Sequence, residues 1–475
     1  MTWEGDYSGL RHLLLRRQLS CHEVVLGYLR RVGQSPLNAF VSVAPKLALR
    51  RARSQDARIA RGEAGALAGL VLGVKDNINI RGWKTTCASQ HLRNYVAPFH
   101  ASVVRRLLRQ GAIILGKTNM DEFAMGSSGE TSFFGPTRNP HCLERVPGGS
   151  SSGSAAAVAG HEVIAALGSD TGGSVRQPAS FCGVVGLRPT YGRVSRYGLV
   201  AFASSLDQIG PLTRSVADCA LLLRAIAGLD PRDATTRRVP VPDFCQELNR
   251  GIKGVRLGRP KEYFQPPLDA EVGCTVDRTL VQLEAQGAVV QELSLPLSRY
   301  AVAAYYVTCT AEASSNLARF DGMRFGERIQ CQDLEGAYTA SRSRGFGQEV
   351  RRRLLLGCFV LSAGYYQAYY EKAQQVRALL AEDFARAFQI VDCIVTPTAP
   401  TPAFPLQERT RDPLTMYLSD VYTVPASLCG LPAVSVPCGK NKQGLPIGLQ
   451  VIGKPFAESM VLRVARAVEI VLGQQ

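Results

Sequence analysis

Two glycine- and serine-rich segments in the middle of the chain carry residue types that acyl transfer requires. The first contains Gly148-Gly149-Ser150, and the second reads Asp170-Thr171-Gly172-Gly173-Ser174. Glycines in such turns allow successive backbone N–H groups to point at one place, which creates a binding site for an anion. A serine in the same turn has its hydroxyl beside an oxyanion hole. The segments therefore indicate serine-dependent acyl transfer, and neither follows the G-x-x-x-x-G-K-[ST] pattern of a phosphate-binding loop.

A serine hydroxyl is a poor nucleophile without a base, and the sequence offers both histidine and lysine for that role. His141 and His161 flank the Gly/Ser region, and Lys75 ends the apolar run Leu70–Val74. Only ten of the 55 basic residues are lysines, so a lysine at this position stands out. Burial can lower a lysine pKa from about 10.4 toward neutrality, whereas an arginine is never deprotonated in a protein. The alternative is a structural ion pair between Lys75 and Asp76.

The patterns around these residues predict an α/β fold that positions them. Apolar residues at helical spacing predict three helices in the first sixty residues, and short apolar runs predict strands at 70–74 and 112–115, separated by a helix at 102–110. The Gly/Ser-rich region 126–215 alternates a helix at 155–159 with a strand at 163–167, which favours a structured centre over a linker. A long, mostly helical block follows at 301–388, and strands at 390–395, 433–436 and 448–452 precede a C-terminal helix.

Composition excludes several classes of protein. The chain has 475 residues, 46% hydrophobic and 20% charged, which excludes disordered and collagen-like classes. It has no apolar run of eighteen residues and no signal-peptide pattern after Met1, so we expect no membrane span and a cytoplasmic location, with an organellar one still open. The thirteen cysteines form no C-x-x-C pair, which predicts free thiols and no metal site. A net charge of +16 suggests a polyanionic partner, but the basic residues are dispersed.

Three segments in order resemble the amidase signature family. They are Gly73–Asn77, the Gly-Gly-Ser-Ser turn at Ser150, and Asp170–Ser180; Lys75 lies 75 residues before Ser150, and Ser174 lies 24 residues after it. The resemblance implies a central mixed β-sheet covered by helices on both faces. It also implies one amidase domain over 1–475, with N-terminal helices in 1–65 and a mainly helical insertion at about 300–388.

The resemblance further implies a Ser–Ser–Lys triad. Ser174 would be the acyl-forming nucleophile, Ser150 the bridging serine after a cis peptide bond, and Lys75 the neutral base. The N–H groups of Thr171, Gly172, Gly173 and Ser174 would bind the oxyanion. One departure is Ser152, where the family usually has glycine; a positive φ at that position would add strain of roughly 1 kcal/mol.

Further motifs resemble a branch of this family that hydrolyses glutamine and supplies ammonia for tRNA-dependent amidation. They lie at residues 116–127, 192–199, 206–211, 313–322 and 445–450. This likeness implies that Arg353 binds the α-carboxylate of glutamine, that Asp420 binds the α-ammonium, and that Tyr305 lines the pocket. Arg351 and Arg352 are alternatives to Arg353, and a solvated basic helix face is the competing explanation for all three.

The same likeness implies partners and excludes a cofactor in this chain. The partners would be a tRNA-binding subunit that uses ATP and magnesium, and a small tethering subunit. Together they would convert misacylated Glu-tRNA(Gln) to Gln-tRNA(Gln), with Asp-tRNA(Asn) as a possible second substrate. Two other functions remain open: a free-standing amidase of the same family, and a non-catalytic RNA-binding module suggested by the +16 charge.

Overall fold

The computed structural model describes residues 3–473 of the chain. Helices and strands alternate through most of this range, and the long helical block lies in the second half. The α-helices are α1 (Tyr7–Leu15), α2 (Cys21–Gln34), α3 (Pro45–Ala60), α4 (Ser102–Arg109), α5 (Ser152–Ala159), α6 (Arg176–Cys182), α7 (Val216–Ile226), α8 (Ala270–Ala285), α9 (Ala301–Leu317), α10 (Leu334–Gly345), α11 (Gln348–Val360), α12 (Lys372–Ile390), α13 (Pro413–Leu418), α14 (Val424–Leu428) and α15 (Glu458–Gly473).

The strands form one mixed sheet. They are β1 (Phe40–Val43), β2 (Val71–Lys75), β3 (Ile113–Thr118), β4 (Ala165–Asp170), β5 (Val185–Arg188), β6 (Gln208–Thr213), β7 (Arg256–Pro260), β8 (Val289–Leu293), β9 (Cys393–Pro397), β10 (Ala433–Lys440) and β11 (Pro446–Gly453). Their spatial order is β1-β3-β2-β4-β6-β5-β10-β11-β9-β7-β8. Strand β2 runs parallel to both β3 and β4, whereas β4 and β6 are antiparallel. The prediction of an α/β fold with a mixed central sheet is confirmed.

Helices cover both faces of the central strands. Every residue of β2, β3, β4 and β6 is buried, which a sheet achieves only when both of its faces are packed. The three N-terminal helices form as predicted, and Ser20 and Glu23 start α2 with a reciprocal capping box. Strand β1 was not predicted: it pairs with β3 at the sheet edge, so residues 1–65 are not purely helical.

The predicted helical block is present and shares a hydrophobic cluster with residues from 87–125, 202–206 and 424–428. Helices α9, α10, α11 and α12 occupy most of residues 301–390, and α9 and α11 contribute Tyr305, Cys309, Val350 and Leu354 to that cluster. Whether this block is best described as an insertion in one domain over 1–475 stays a prediction. Within residues 3–473, no helix is long and apolar enough to cross a membrane.

The Gly/Ser-rich centre is structured, as predicted. It contains α5, β4, α6, β5 and β6, and nearly all of its residues between Val146 and Thr190 are buried. Ser152 is the first residue of α5 and has a helical rather than a left-handed backbone, so the expected strain is absent. Its hydroxyl lies 3.2 Å from that of Thr137.

Candidate active site

Lys75 lies at the end of β2 with its amine among serines. The side chain is fully buried, and Nζ lies within hydrogen-bonding distance of Ser150 Oγ (2.7 Å), Ser151 Oγ (3.0 Å) and the Ser169 carbonyl oxygen (3.2 Å). Asp76 faces away from it and pairs with Lys117 at 3.2 Å. The alternative of a Lys75–Asp76 ion pair is therefore wrong.

The surroundings of Lys75 favour the neutral amine. Burial lowers the pKa of Lys75 from 10.5 to about 7, because the low-dielectric interior disfavours the charged form. The carboxylates of Asp121, Asp170 and Asp207 partly oppose this shift but do not contact the amine. A substantial fraction of Lys75 is then unprotonated near neutral pH and able to accept a proton.

Ser150 is held between Lys75 and a rigid turn. It follows a cis Gly149–Ser150 peptide bond, as the family resemblance implied. Gly149 N–H donates to Gln177 Oε1 (2.9 Å), and the Ser150 carbonyl accepts from Asp121 N–H (3.2 Å). These bonds fix the backbone on both sides of the serine, so its hydroxyl stays within 2.7 Å of the lysine amine.

Ser174 lies in the turn between β4 and α6, beside the Ser150 segment. Its carbonyl accepts from Ser151 N–H at 3.0 Å, and the residue is 8% exposed, whereas Lys75 and Ser150 are fully buried. Of the three predicted triad residues, the one assigned the attack on substrate is therefore the one that solvent reaches. Neither predicted histidine takes part: His141 contacts the Cys182 carbonyl, and His161 lies near Arg214 and Glu4.

A buried ion cluster holds the start of this turn. Asp170 pairs with Arg176 (3.0 Å) and Arg188 (3.2 Å), and its second oxygen accepts from Val175 N–H (3.2 Å). Burial alone would raise the pKa of Asp170, but the two guanidinium groups hold it below its usual value. Asp170 is thus an anion, and its bond to Val175 N–H connects the two ends of the turn. Thr171 Oγ1 also holds the turn by donating to Asp207 (2.7 Å).

Neighbouring side chains leave no space for a Cβ atom at Gly172 or Gly173, so both positions require glycine. A Cβ on Gly172 would lie 2.6 Å from Tyr305 Cζ, and one on Gly173 would overlap Thr423 and lie 3.1 Å from Asp420 Oδ1. Two of the predicted pocket residues thus touch the predicted oxyanion turn. Tyr305 and Asp420 therefore pack against the turn that contains Ser174, although no two of these three residues are closer than 115 positions in the sequence.

Asp420 offers one free carboxylate oxygen. Oδ2 accepts from the Ser127 hydroxyl, while Oδ1 is buried and has no hydrogen-bond partner within residues 3–473. Burial raises the pKa of Asp420 to about 7, partly opposed by the bond from Ser127. A buried acceptor without a partner is costly, and a cationic ligand would remove that cost.

Arg353 is the buried member of the arginine triplet. It is 2% exposed, whereas Arg351 is exposed and Arg352 is partly exposed. A cavity of about 250 Å³ lies next to it, bounded by α11, by the segment after β3 and by the loop that contains α13. Its lining includes Ser127, Ser128, Glu349, Arg352, Arg353, Met416 and Tyr417. The burial of Arg353 favours it over its two neighbours as a ligand for a carboxylate.

Four functional candidates were not predicted from the sequence. Ser151 is a second acceptor for Lys75, Ser127 holds Asp420, and Glu349 and Tyr417 contact Arg353 or its partner. Of these four, only the contact of Glu349 could have been predicted from the sequence, because Glu349 lies four residues before Arg353 and such a pair is adjacent on the surface of a helix. Within residues 3–473, no group of three or more His, Cys, Asp or Glu could hold a metal ion.

Comparison with known proteins identifies the family. A family model described as Amidase matches residues 23–462, and the chain belongs to this amidase family. Its relatives include proteins named as the A subunit of glutamyl-tRNA(Gln) amidotransferase. The one from Thermodesulfovibrio yellowstonii is 54% identical over 459 residues, covering 96% of this chain and 95% of the relative. The one from Acidobacterium capsulatum is 57% identical and covers 91% of each.

Solved structures agree with this assignment. The crystal structure of the glutamyl-tRNA(Gln) amidotransferase A subunit from Thermotoga maritima matches with a TM-score of 0.79 and 44% identity, covering 95% of this chain and 94% of that one. A peptide amidase from Stenotrophomonas maltophilia matches with a TM-score of 0.85 and 32% identity, covering 99% and 97%. The fold is therefore shared with both an amidotransferase subunit and a peptide amidase.

Proposed function

We propose that this chain hydrolyses glutamine as a subunit of a tRNA-dependent amidotransferase. The observation that carries the proposal is the position of Asp420, whose free, buried oxygen lies against the turn that holds Ser174. A simple amide needs no anion at that place, but the α-ammonium of an amino acid does. The proposal also draws on the names of relatives at 54–57% identity that align over nearly the whole chain.

The proposed chemistry begins with proton transfer through the two serines. Neutral Lys75 takes the proton of Ser150, and Ser150 takes that of Ser174, whose Oγ attacks the side-chain amide carbon of glutamine. The carbonyl oxygen becomes an oxyanion bound by the N–H groups of residues 171–174. The proton then returns to the leaving nitrogen, ammonia departs, and water releases glutamate from Ser174 by the same relay.

Recognition of glutamine is assigned to the two buried charges. The guanidinium of Arg353 binds the α-carboxylate, Asp420 Oδ1 binds the α-ammonium, and Tyr305 lines the space between them and the turn. Charge-assisted bonds of this kind discriminate strongly, because a ligand without the matching group leaves a buried charge unpaired. These roles distinguish the proposal from a free-standing amidase, which should tolerate loss of Arg353 and Asp420.

The partners follow from the same proposal. The ammonia would pass to a tRNA-binding subunit that uses ATP and magnesium, with a small tethering subunit completing a heterotrimer. That assembly would amidate Glu-tRNA(Gln), with Asp-tRNA(Asn) as a second candidate substrate, in the cytoplasm. This chain contributes no cofactor of its own.

The test uses Ser174→Ala in the assembled enzyme. Glutamine-dependent amidation of glutamyl-tRNA should be abolished, while amidation from added ammonium chloride should continue at the wild-type rate. Ammonia release from glutamine by the wild-type chain, alone and with its partners, provides the reference. Loss of both activities, or survival of the glutamine-dependent one, would contradict the proposal; RNA binding without any glutaminase activity would favour the non-catalytic module.

A further inference from the structure

The guanidinium of Arg353 is fixed along one edge only. Its Nε donates to Glu349 Oε1 at 2.8 Å, and Tyr417 Oη donates to the same oxygen at 2.8 Å. The other carboxylate oxygen of Glu349 accepts from Arg352. Neither terminal nitrogen of Arg353 has a hydrogen-bond partner among residues 3–473, although the residue is only 2% exposed.

Aromatic rings restrict the same group from its sides. Arg353 Cζ lies 5.2 Å from the ring centroids of both Tyr306 and Tyr417, and those two rings stack at 3.9 Å. A third ring, Phe202, lies at 5.9 Å. The three rings pack around the guanidinium and limit its movement, while Glu349 holds the Nε edge.

This arrangement leaves the two terminal nitrogens as the only free donors of Arg353 among the described residues. A carboxylate binds an arginine best when two parallel N–H groups face its two oxygens, and that requires a fixed guanidinium plane. A freely rotating arginine would meet the ligand in many orientations and would lose entropy on binding.

We propose that Glu349 and Tyr417 are positioning residues for substrate recognition, which hold Arg353 so that its terminal nitrogens face the α-carboxylate of the substrate. The proposal rests on the function proposed above, in which Arg353 is the carboxylate ligand. Neither Glu349 nor Tyr417 takes part in the chemistry at Ser174. Their effect is on which amides bind, not on how fast the bound amide reacts.

Charge and position predict opposite outcomes when Glu349 is removed. By charge alone, deleting an anion next to Arg353 makes the pocket more positive, which should tighten binding of a carboxylate. If the role of Glu349 is to position Arg353, its removal lets the guanidinium move and weakens binding of the carboxylate. The direction of the change in KM therefore separates the two effects without reference to its size.

The experiment compares Glu349→Ala, Glu349→Gln and Tyr417→Phe on two substrates. The first is glutamine, and the second is 4-aminobutanamide, which keeps the amide and the ammonium but lacks the α-carboxylate. For glutamine we expect KM to rise about 30-fold in Glu349→Ala and about fivefold in Tyr417→Phe, the range for one charged and one neutral hydrogen bond, with kcat nearly unchanged. Glu349→Gln should fall between wild type and Glu349→Ala, because its amide oxygen can still accept from Nε.

The second substrate supplies the control. The kcat/KM for 4-aminobutanamide should stay at the wild-type value in all three variants. The control Tyr366→Phe removes the hydroxyl of an exposed tyrosine and should leave the kinetic constants for both substrates unchanged. A lower or unchanged KM for glutamine, or an equal loss on both substrates, would overturn the proposal. If Glu349→Ala does not fold, Tyr417→Phe decides by the same criteria.

Failure of this inference is distinct from failure of the proposed function. If wild-type protein does not hydrolyse glutamine, the function itself is wrong. If it does, and Arg353→Lys raises KM while Glu349→Ala and Tyr417→Phe do not, only the positioning role is wrong.

Discussion

The pH dependence of glutamine hydrolysis tests the assignment of Lys75 as the base. Burial lowers the pKa of Lys75 from 10.5 to about 7. At pH 8 a pKa near 7 leaves about 90% of the amine neutral, against about 0.3% for an unshifted lysine, a gain of roughly 300-fold in reactive enzyme. We therefore expect kcat to fall about tenfold for each pH unit below about 6.5 and to level off above about 8.

Asp420 complicates this profile and must be separated from it. Burial raises the pKa of Asp420 to about 7, so its protonation below neutrality should weaken binding of the α-ammonium and raise KM. Because kcat reports the substrate complex, in which Asp420 already faces an ammonium group, the kcat profile isolates Lys75. The same acid limb should persist in kcat for Asp420→Asn, which has no carboxyl group to titrate.

Two substitutions complete the test of Lys75. Both Lys75→Ala, which has no amine, and Lys75→Arg, which stays charged at all these pH values, should lower kcat by about 10³-fold or more. Stopped assays of ammonia release between pH 5 and 9 would measure both the limb and the losses. A flat kcat profile over that range, or an active Lys75→Arg enzyme, would refute the general-base role.

Two further substitutions test the pocket. Asp420→Asn should raise KM for glutamine by about 10- to 100-fold with little change in kcat, because it removes one charge-assisted bond to the ammonium; unchanged steady-state kinetics would contradict this role. Gly172→Ala should lower kcat by about 10²-fold, since the new Cβ would lie 2.6 Å from Tyr305 Cζ and displace an oxyanion donor. The double variant Gly172→Ala/Tyr305→Ala should recover part of that kcat, and a double variant no faster than the single one would count against the steric explanation.

The sequence predicted the elements with strong periodicity and missed the weakly patterned strands. Strands β2, β3 and β4 start with apolar residues, are buried over their whole length and overlap the predicted strands, although β4 starts two residues later than predicted. Strands β5 and β6, Val-Gly-Leu-Arg and Gln-Ile-Gly-Pro-Leu-Thr, contain residues typical of turns. They are strands because their neighbours in the sheet pair with them, and that information is not local.

The candidate site shows the same division. The family resemblance implied a triad of Lys75, Ser150 and Ser174, whereas the local sequence could not decide between a base and an ion pair for Lys75. The structure excludes the ion pair, because Asp76 pairs instead with Lys117, which lies 42 residues after Lys75 in the chain. Ser127 could not have been predicted as the partner of Asp420, because 293 residues separate the two.

The close packing of Tyr305 and Asp420 on Gly172 and Gly173 has a consequence for how this enzyme can diversify. In the proposed function, the residues assigned to the substrate pocket pack against the same short turn that carries the N–H groups assigned to the oxyanion. Exchanges of these pocket residues would alter substrate choice and reaction rate together. Substitutions in α11 and in the loop that contains α13 would leave the turn at 171–174 unchanged. New amide substrates are therefore accommodated most easily by changes in those two segments.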